Sequence, residues 1–189
     1  AVACKVENNL PDGIWWNRTL TVGGDAIDTA SGEFPHSLQM GHITLACQHC
    51  ENPACVKVCP VGATYKREED GLVMQDYDRC IGCRYCMVAC PYTGVRQFNW
   101  QAPSYQVDFA VGDEAVPAHQ SNTVEKCTFC FHRLAQGQLP ACIEQCPGRA
   151  RHFGDLNDPD SEVSVLLRER SHFQLLAEKG TKPSVYFLT

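Results

Sequence analysis

Twelve of the thirteen cysteines in this 189-residue chain fall into three groups of four, and each group ends in Cys-Pro. The middle group has intervals of two, two and three residues, and each of the others lengthens one interval. The groups are Cys47, Cys50, Cys55 and Cys59; Cys80, Cys83, Cys86 and Cys90; and Cys127, Cys130, Cys142 and Cys146. A cubane [4Fe–4S] cluster takes three thiolates from one tight turn and a fourth from elsewhere. The spacing therefore predicts several such clusters, whose chemistry is electron transfer.

Disulfide bonds and structural zinc are the two other uses of so many cysteines. Disulfides fit poorly, because an odd number of cysteines leaves one thiol over and the spacing is that of a ligand set. Zinc also binds pairs of cysteines two residues apart. It gives no reason, however, for a third and a fourth cysteine followed by proline in all three groups.

The middle group has the cysteine spacing of bacterial ferredoxins, in which the fourth cysteine of one group binds the neighbouring cluster. We therefore expect that, in the first two groups, the last cysteine of each binds the cluster held by the first three cysteines of the other. We expect the same exchange between the third group and a group at the start of the chain that ends in Cys4. This predicts three sites, here called site 1 (Cys47, Cys50, Cys55, Cys90), site 2 (Cys59, Cys80, Cys83, Cys86) and site 3 (Cys4, Cys127, Cys130, Cys142).

Cys4 has the position of the last cysteine in a further group whose other members would precede residue 1. We expect that the natural protein continues upstream and carries four clusters, of which three are complete in this sequence. Cys146 would then bind the fourth cluster. The alternative is that Cys4 is a free buried thiol, since cysteine also behaves as a small apolar residue.

Composition excludes several classes of function. The formal net charge is −6 and the chain contains no basic block, so nucleic acid is not an expected partner. No apolar run reaches the roughly 18 residues that cross a bilayer, so we expect no membrane span. No catalytic triad, carboxylate pair or phosphate-binding loop stands out, so we expect no catalytic site.

The elements that must position the cysteines are short. Residues 62–74 predict two strands joined by a polar turn, and the Cys-Pro end of each group predicts a short helix stopped by proline. Residues 97–125 are expected to form a loop insertion without a core of its own. Asp158 is the expected N-cap, and Pro159 the first residue, of a later helix.

We expect an α+β protein with a duplicated bacterial ferredoxin-like fold and loop insertions. Residues 42–96 would form an inserted ferredoxin-like module with two clusters. Residues 1–41 together with 97–189 would form the outer module.

A few other residues are candidates for more than packing. Lys57, Arg84 and Lys126 lie beside expected ligands, where a positive charge would raise a cluster potential. For each we favour the alternative, a solvated surface charge. His49 and His132 lie within and beside cysteine groups, and we expect hydrogen-bonding or solvated roles for both.

Several segments together resemble the iron–sulfur (beta) subunits of the dimethyl-sulfoxide-reductase family of molybdenum or tungsten enzymes, especially polysulfide, tetrathionate and arsenate reductases. Besides the cysteine groups, they are Cys4–Gly13, Lys126–Arg133, Gly154–Pro159 and Gly180–Phe187. The resemblance implies four [4Fe–4S] clusters in a line and no catalytic activity in this chain. It also implies electron relay between a large molybdopterin catalytic subunit and a quinone-reactive membrane subunit or other redox partner.

The same resemblance implies a membrane-associated complex, on the extracytoplasmic face by export with the partner, although a cytoplasmic complex is also compatible. The alternative function is a free-standing polyferredoxin, a carrier without a fixed partner. The long segments 5–41 and 97–125 argue against it, because a minimal carrier does not need them.

Overall fold

The computed structural model describes residues 1–23 and 40–189; residues 24–39, part of the expected outer module, lie outside the described residues. The described helices are α1 (Val2–Glu7), α2 (Ala54–Lys57), α3 (Tyr85–Val88), α4 (Phe131–Leu134), α5 (Ala141–Glu144) and α6 (Glu162–Glu169). The strands are β1 (Arg18–Gly23), β2 (Met40–Leu45), β3 (Thr64–Lys66), β4 (Val73–Gln75), β5 (Arg96–Phe98), β6 (Val124–Lys126), β7 (His172–Phe173) and β8 (Phe187–Leu188). This mixture of short helices and strands is compatible with the expected α+β class.

The strands pair as four antiparallel two-stranded ribbons in the described residues, β1 with β2, β3 with β4, β5 with β6 and β7 with β8. The β3–β4 ribbon is the predicted strand-turn-strand of residues 62–74, and Thr64 lies opposite Gln75 in it. In the β5–β6 ribbon, Arg96 lies directly opposite Lys126. Isolated two-stranded ribbons are marginal in water, so these must be stabilised by what they pack against.

Three of the helices carry the third cysteine of a group and end shortly before the Cys-Pro pair. Helix α2 contains Cys55, α3 contains Cys86 and α5 contains Cys142. Each helix has four residues, as the predicted proline stop requires. The loop between the first and last pairs of the third group adds one more helix, α4.

Gly82 shows how tightly the cysteine turns are packed. Its φ is +68°, and a Cβ atom there would lie 2.5 Å from the backbone oxygen of Asn122. A residue with a side chain would therefore be strained and would collide with backbone, so the turn between Cys80 and Cys83 requires glycine.

The apolar core consists of small clusters assembled around thiols. Leu10, Ile14 and Trp16 form one buried cluster with Cys4. A second cluster surrounds Cys50 and consists of Leu45, Tyr92 and Val95, with Cys90 and Leu175 packed against it. The cysteine groups thus lie where a larger protein would have its hydrophobic core.

The start of α6 differs from the prediction at Asp158 and Pro159. The helix begins after Ser161, whose Oγ accepts a hydrogen bond from the backbone N–H of Ser164 at 3.3 Å. The carboxylate of Asp158 accepts instead from the backbone N–H of Asp160 at 2.9 Å, which closes a turn before the helix. The predicted cap was therefore wrong by three residues, because both residue types serve as N-caps.

Between β5 and β6 the chain runs irregularly over residues 99–123, as expected of the insertion. The loop prediction was wrong at its two ends, because residues 97–98 and 124–125 belong to the β5–β6 ribbon. It is not wholly superficial, because Asn99 and His119 are buried there. No helix in the described ranges, 1–23 and 40–189, is long and apolar enough to cross a membrane.

Candidate iron–sulfur sites

The four cysteines predicted for site 3 converge from opposite ends of the chain. Cys127 and Cys142 pack against the apolar cluster that contains Cys4. Burial, with the neighbouring thiolates of Cys130 and Cys142, raises the pKa of Cys4 to about 12. The side-chain amide of Asn8 lies 3.8 Å from the Sγ of Cys4 and 3.7 Å from that of Cys130. Helix α1 is thereby joined to the third cysteine group, as the exchange of last cysteines requires.

Site 1 is also assembled in the described structure. Burial, and then the nearby thiolates of Cys47 and Cys55, raise the pKa of Cys90 to about 11, although the backbone N–H of Tyr92 opposes the shift. The pKa of Cys50 is raised by burial and, more weakly, by the same two thiolates. The last cysteine of the second group therefore lies with the first three cysteines of the first.

Site 2 is a cavity whose wall includes all four expected cysteines, Cys59, Cys80, Cys83 and Cys86. Thr64 and Gln75 from the β3–β4 ribbon, with Ala63 just before it, close one side. The backbone N–H of Thr64 approaches the Sγ of Cys59 at 3.4 Å. This N–H is a donor toward sulfur of the kind that tunes cluster potentials.

Cys146 stands apart from these groups. It is half-buried and belongs to none of the thiol groups within residues 1–23 and 40–189. The sequence predicts that Cys146 binds a fourth cluster.

Site 1 neighbours both of the other sites. The pKa of Cys127 in site 3 is raised well above its ordinary value, first by burial and then by thiolates that include Cys47 of site 1. Helix α2, which carries Cys55 of site 1, contacts α3, which carries Cys86 of site 2. The pKa of Cys86 is raised by burial, and the thiolate of Cys55 adds to it.

All thirteen cysteines are free thiols, which does not fit a disulfide scaffold. Each site offers four sulfur ligands, the donor set of a cubane cluster. Beside sites 1 and 2 the Arg96 guanidinium is buried, and its Nη2 has no hydrogen-bond partner within residues 1–23 and 40–189. A buried N–H without an acceptor is costly, and sulfur atoms of a cluster are acceptors that would satisfy it. The residues present therefore fit [4Fe–4S] clusters.

The charged and histidine candidates differ from one another. Lys57 and Arg84 are exposed, as predicted, and the Arg84 guanidinium lies 4.7 Å from the ring centroid of Trp100. Lys126 is fully buried, so the interpretation as a solvated charge was wrong there. His49 is buried, and its Nδ1 accepts a hydrogen bond from the backbone N–H of Val73 at 3.1 Å. His132 is also buried, with its Nε2 3.1 Å from Glu7.

Arg96 was missed by sequence reasoning. It lies six residues beyond Cys90, outside every cysteine group. The only available signal was a basic residue within an otherwise apolar and polar strand pattern, Val95 to Phe98, which does not by itself indicate a site.

Comparison with known proteins agrees with this geometry. The family model described as a 4Fe-4S dicluster domain matches residues 38–108 and 114–156. The chain belongs to this 4Fe-4S dicluster family.

Curated relatives extend the assignment to the whole chain. A protein assigned as the iron–sulfur subunit of a dimethyl sulfoxide reductase from Halobacterium salinarum is 53% identical over all of this chain and 72% of its own length. The arsenate respiratory reductase iron–sulfur subunit of a Shewanella species is 39% identical over all of this chain and 88% of its own length. The iron–sulfur cluster-binding subunit of a menaquinone reductase from Nitratidesulfovibrio vulgaris is 38% identical over all of this chain and 82% of its own length.

These findings confirm the resemblance to iron–sulfur subunits of reductase complexes. The dicluster family protein described here carries [4Fe–4S] clusters and is an electron-transfer subunit, not the catalytic subunit, of an oxidoreductase complex. The reading as an electron-transfer subunit is favoured over a free-standing polyferredoxin.

Proposed function

We propose that this dicluster protein relays electrons through sites 3, 1 and 2 in that order, with the ligand sets predicted from the spacing. The observation that carries the proposal is the convergence of the expected cysteines. Cys127 and Cys142 pack against the cluster of Cys4, Cys90 packs against the cluster of Cys50, and all four cysteines of site 2 line one cavity. A [4Fe–4S] cluster, when bound, accepts and releases one electron at a time.

The chain's own residues supply position and environment. The tight turns between the first cysteines of each group fix three ligands, and the exchanged last cysteine ties each site to its neighbour. The apolar residues around Cys4 and Cys50 exclude water from the sulfurs, which is one of the ways in which a protein sets a cluster potential.

We infer further that Cys146 is a ligand of a fourth cluster, completed by cysteines outside this sequence. It is the only cysteine among those in the described ranges that the three sites leave over. The same exchange supports the duplicated fold, with residues 42–96 inserted into an outer module of residues 1–41 and 97–189.

For partners we propose a large molybdopterin catalytic subunit, containing molybdenum or tungsten, at one end of the relay. The support is the similarity to subunits of dimethyl sulfoxide and arsenate reductases. At the other end we propose a quinone-reactive membrane subunit, supported by the relative from a menaquinone reductase. The complex would be associated with the membrane, on the extracytoplasmic face by export with the partner.

The test is anaerobic purification of the native complex, followed by measurement of molybdenum, tungsten and iron per copy of this chain. A large co-purifying subunit with stoichiometric molybdenum or tungsten would support the proposed partner. Iron in a chain without that metal or any partner would contradict it and favour the free carrier.

The ligand sets are tested separately with the exchanged cysteines. We expect Cys90→Ser to impair site 1 and Cys59→Ser to impair site 2, because each cysteine serves its neighbour's site. Loss of site 2 in Cys90→Ser, or of site 1 in Cys59→Ser, would refute the exchange.

A further inference from the structure

Two basic side chains are buried between the proposed cluster sites. Arg96 is 3% exposed and Lys126 is 0% exposed. Among the described residues, no carboxylate lies within salt-bridge distance of either one. They also lie directly opposite each other in the β5–β6 ribbon. Like charges at such positions destabilise a ribbon, so their joint burial needs an explanation.

Lys126 lies between sites 1 and 3. Its ammonium donates hydrogen bonds to the backbone oxygens of Val73 and of Cys127, the latter at 2.7 Å. Val73 in turn donates its backbone N–H to Nδ1 of His49, which lies between Cys47 and Cys50 of site 1 in sequence. The ammonium is thus held by the backbone of a site 3 ligand and by a residue bonded to the site 1 cysteine group.

Arg96 lies between sites 1 and 2. Its Nη1 donates to the side-chain oxygen of Gln75 at 3.2 Å and approaches the Thr64 hydroxyl at 3.4 Å. Thr64 and Gln75 both line the cavity of site 2, and Val95, next to Arg96 in the chain, packs in the cluster that contains Cys50 of site 1. Its Nη2 has no partner among the described residues.

Both cations border site 1. Arg96 adjoins Val95, which packs in the cluster that contains Cys50, and Lys126 is joined through the backbone of Val73 to His49 in the same cysteine group. Among the described residues, site 1 is thus flanked by both buried cations, whereas sites 2 and 3 each border one of them.

A buried charge is costly unless an opposite charge compensates it. Four thiolates around a [4Fe–4S] cluster give each site a net negative charge. Reduction by one electron makes that charge more negative by one unit. A neighbouring cation therefore favours the reduced form and raises the potential. With the ligand sets of the proposed function as its basis, we propose that Arg96 and Lys126 are fixed counter-charges that neighbouring cluster sites share, and that they raise the potential of site 1 most.

A purely structural role would be satisfied by hydrogen bonding alone. That role fits Lys126 through its two carbonyl acceptors, but it does not explain why a cation rather than an amide is buried there. It also leaves the Nη2 of Arg96 unexplained. The two roles differ in what they predict for potentials, because only the counter-charge acts selectively on the adjacent sites.

The test is a redox titration of the intact complex, monitored by the electron paramagnetic resonance signals of the individual clusters. For Arg96→Met we expect lower potentials at sites 1 and 2, with site 3 unchanged. For Lys126→Met we expect lower potentials at sites 1 and 3, with site 2 unchanged. At the wild-type midpoint of site 1, the ratio of reduced to oxidised cluster should fall at least tenfold, which corresponds to about 59 mV for a one-electron couple.

Two further variants separate charge from packing. Arg96→Lys retains the charge and should recover most of the wild-type potential. Lys57→Met removes an equal charge near Cys55 and Cys59 but from an exposed position, where water screens it, so its shifts should be much smaller.

Gln75→Glu provides an independent test if the Arg96 variants lose iron. This change conserves the size of the side chain and its acceptor for Arg96, but it places a carboxylate beside the guanidinium. The potentials of sites 1 and 2 should fall. Intact signals at wild-type potentials in this variant and in Lys126→Met would overturn the inference, whereas a wild-type complex without [4Fe–4S] signals would overturn the proposed ligand sets instead.

Discussion

Replacing Glu125 with leucine is expected to destabilise the chain strongly, because this carboxylate organises a buried polar network. Glu125 is 0% exposed, and one of its oxygens lies 2.7 Å from Nδ1 of His119. The other accepts a hydrogen bond from Trp16 Nε1 at 3.2 Å, and the Asn99 amide donates to the first. The network joins the segment before β1 to β6, and thus positions the backbone beside Lys126 and Cys127.

The magnitude follows from what the change leaves behind. Each buried donor that loses its acceptor costs about 1–3 kcal/mol, and His119, Trp16 and Asn99 would all be affected. Removing one partner of a buried charged pair costs about 3–5 kcal/mol. Since Asn99 also donates to the backbone oxygen of Gln120, it retains one partner. We therefore expect Glu125→Leu to lower the free energy of unfolding by about 3–5 kcal/mol, the value for the pair.

The assay is anaerobic urea unfolding of the cluster-loaded chain. With a dependence of about 1–3 kcal/mol per molar urea, the expected loss moves the midpoint by about 1 M or more. Glu125→Gln is the matched control, since it retains the shape and one acceptor oxygen and should cost clearly less. A Glu125→Leu variant within about 1 kcal/mol of wild type, by the same relation, would refute the network's structural role.

Three further outcomes are expected. Burial opposes the charge on His119, but the hydrogen bond and the charge of Glu125 outweigh it and raise the pKa of His119. The charged pair therefore contributes fully to the free energy of unfolding below about pH 6.5, and this contribution is lost as pH rises through the raised pKa. Unfolding measured across pH should show that loss in the wild type and not in His119→Gln. Ser161→Ala removes the N-cap of α6 and should cost about 1 kcal/mol in thermal or urea unfolding, with Ser161→Thr as the milder control. Gly82→Ala forces a side chain against Asn122 and should lower the iron content of site 2, whereas Gly137→Ala, where nothing lies within 4 Å of an added Cβ, should retain it.

The convergence of the cysteines was predictable because cluster binding imposes both the residue type and the spacing. Cys127 packs against the cluster of Cys4 although the two are far apart in sequence, while the ligand sets themselves stay a prediction. The β3–β4 ribbon was also predictable, because residues 62–74 have strand-forming ends and a polar turn.

The buried cations were not predictable, because tertiary pairing buries them. Lys126 precedes a ligand, and its pairing opposite Arg96 in the β5–β6 ribbon removes both from water. Strands β5 and β6 are separated by the irregular residues 99–123, so no local sequence pattern indicates that they pair. The cap of α6 failed for a local reason, since Asp158 and Ser161 are both good N-caps and the choice depends on the turn that Asp158 forms.

The most direct test of the relay is an iron anomalous-difference map from crystals of the anaerobically prepared complex. The proposed function predicts cluster-sized peaks at sites 3, 1 and 2 in that order. It also predicts that Cys90 contacts the iron bound by Cys47, and that Cys59 contacts the iron bound by Cys80. Single-metal peaks, or a cluster held by Cys47 and Cys59 together, would contradict it.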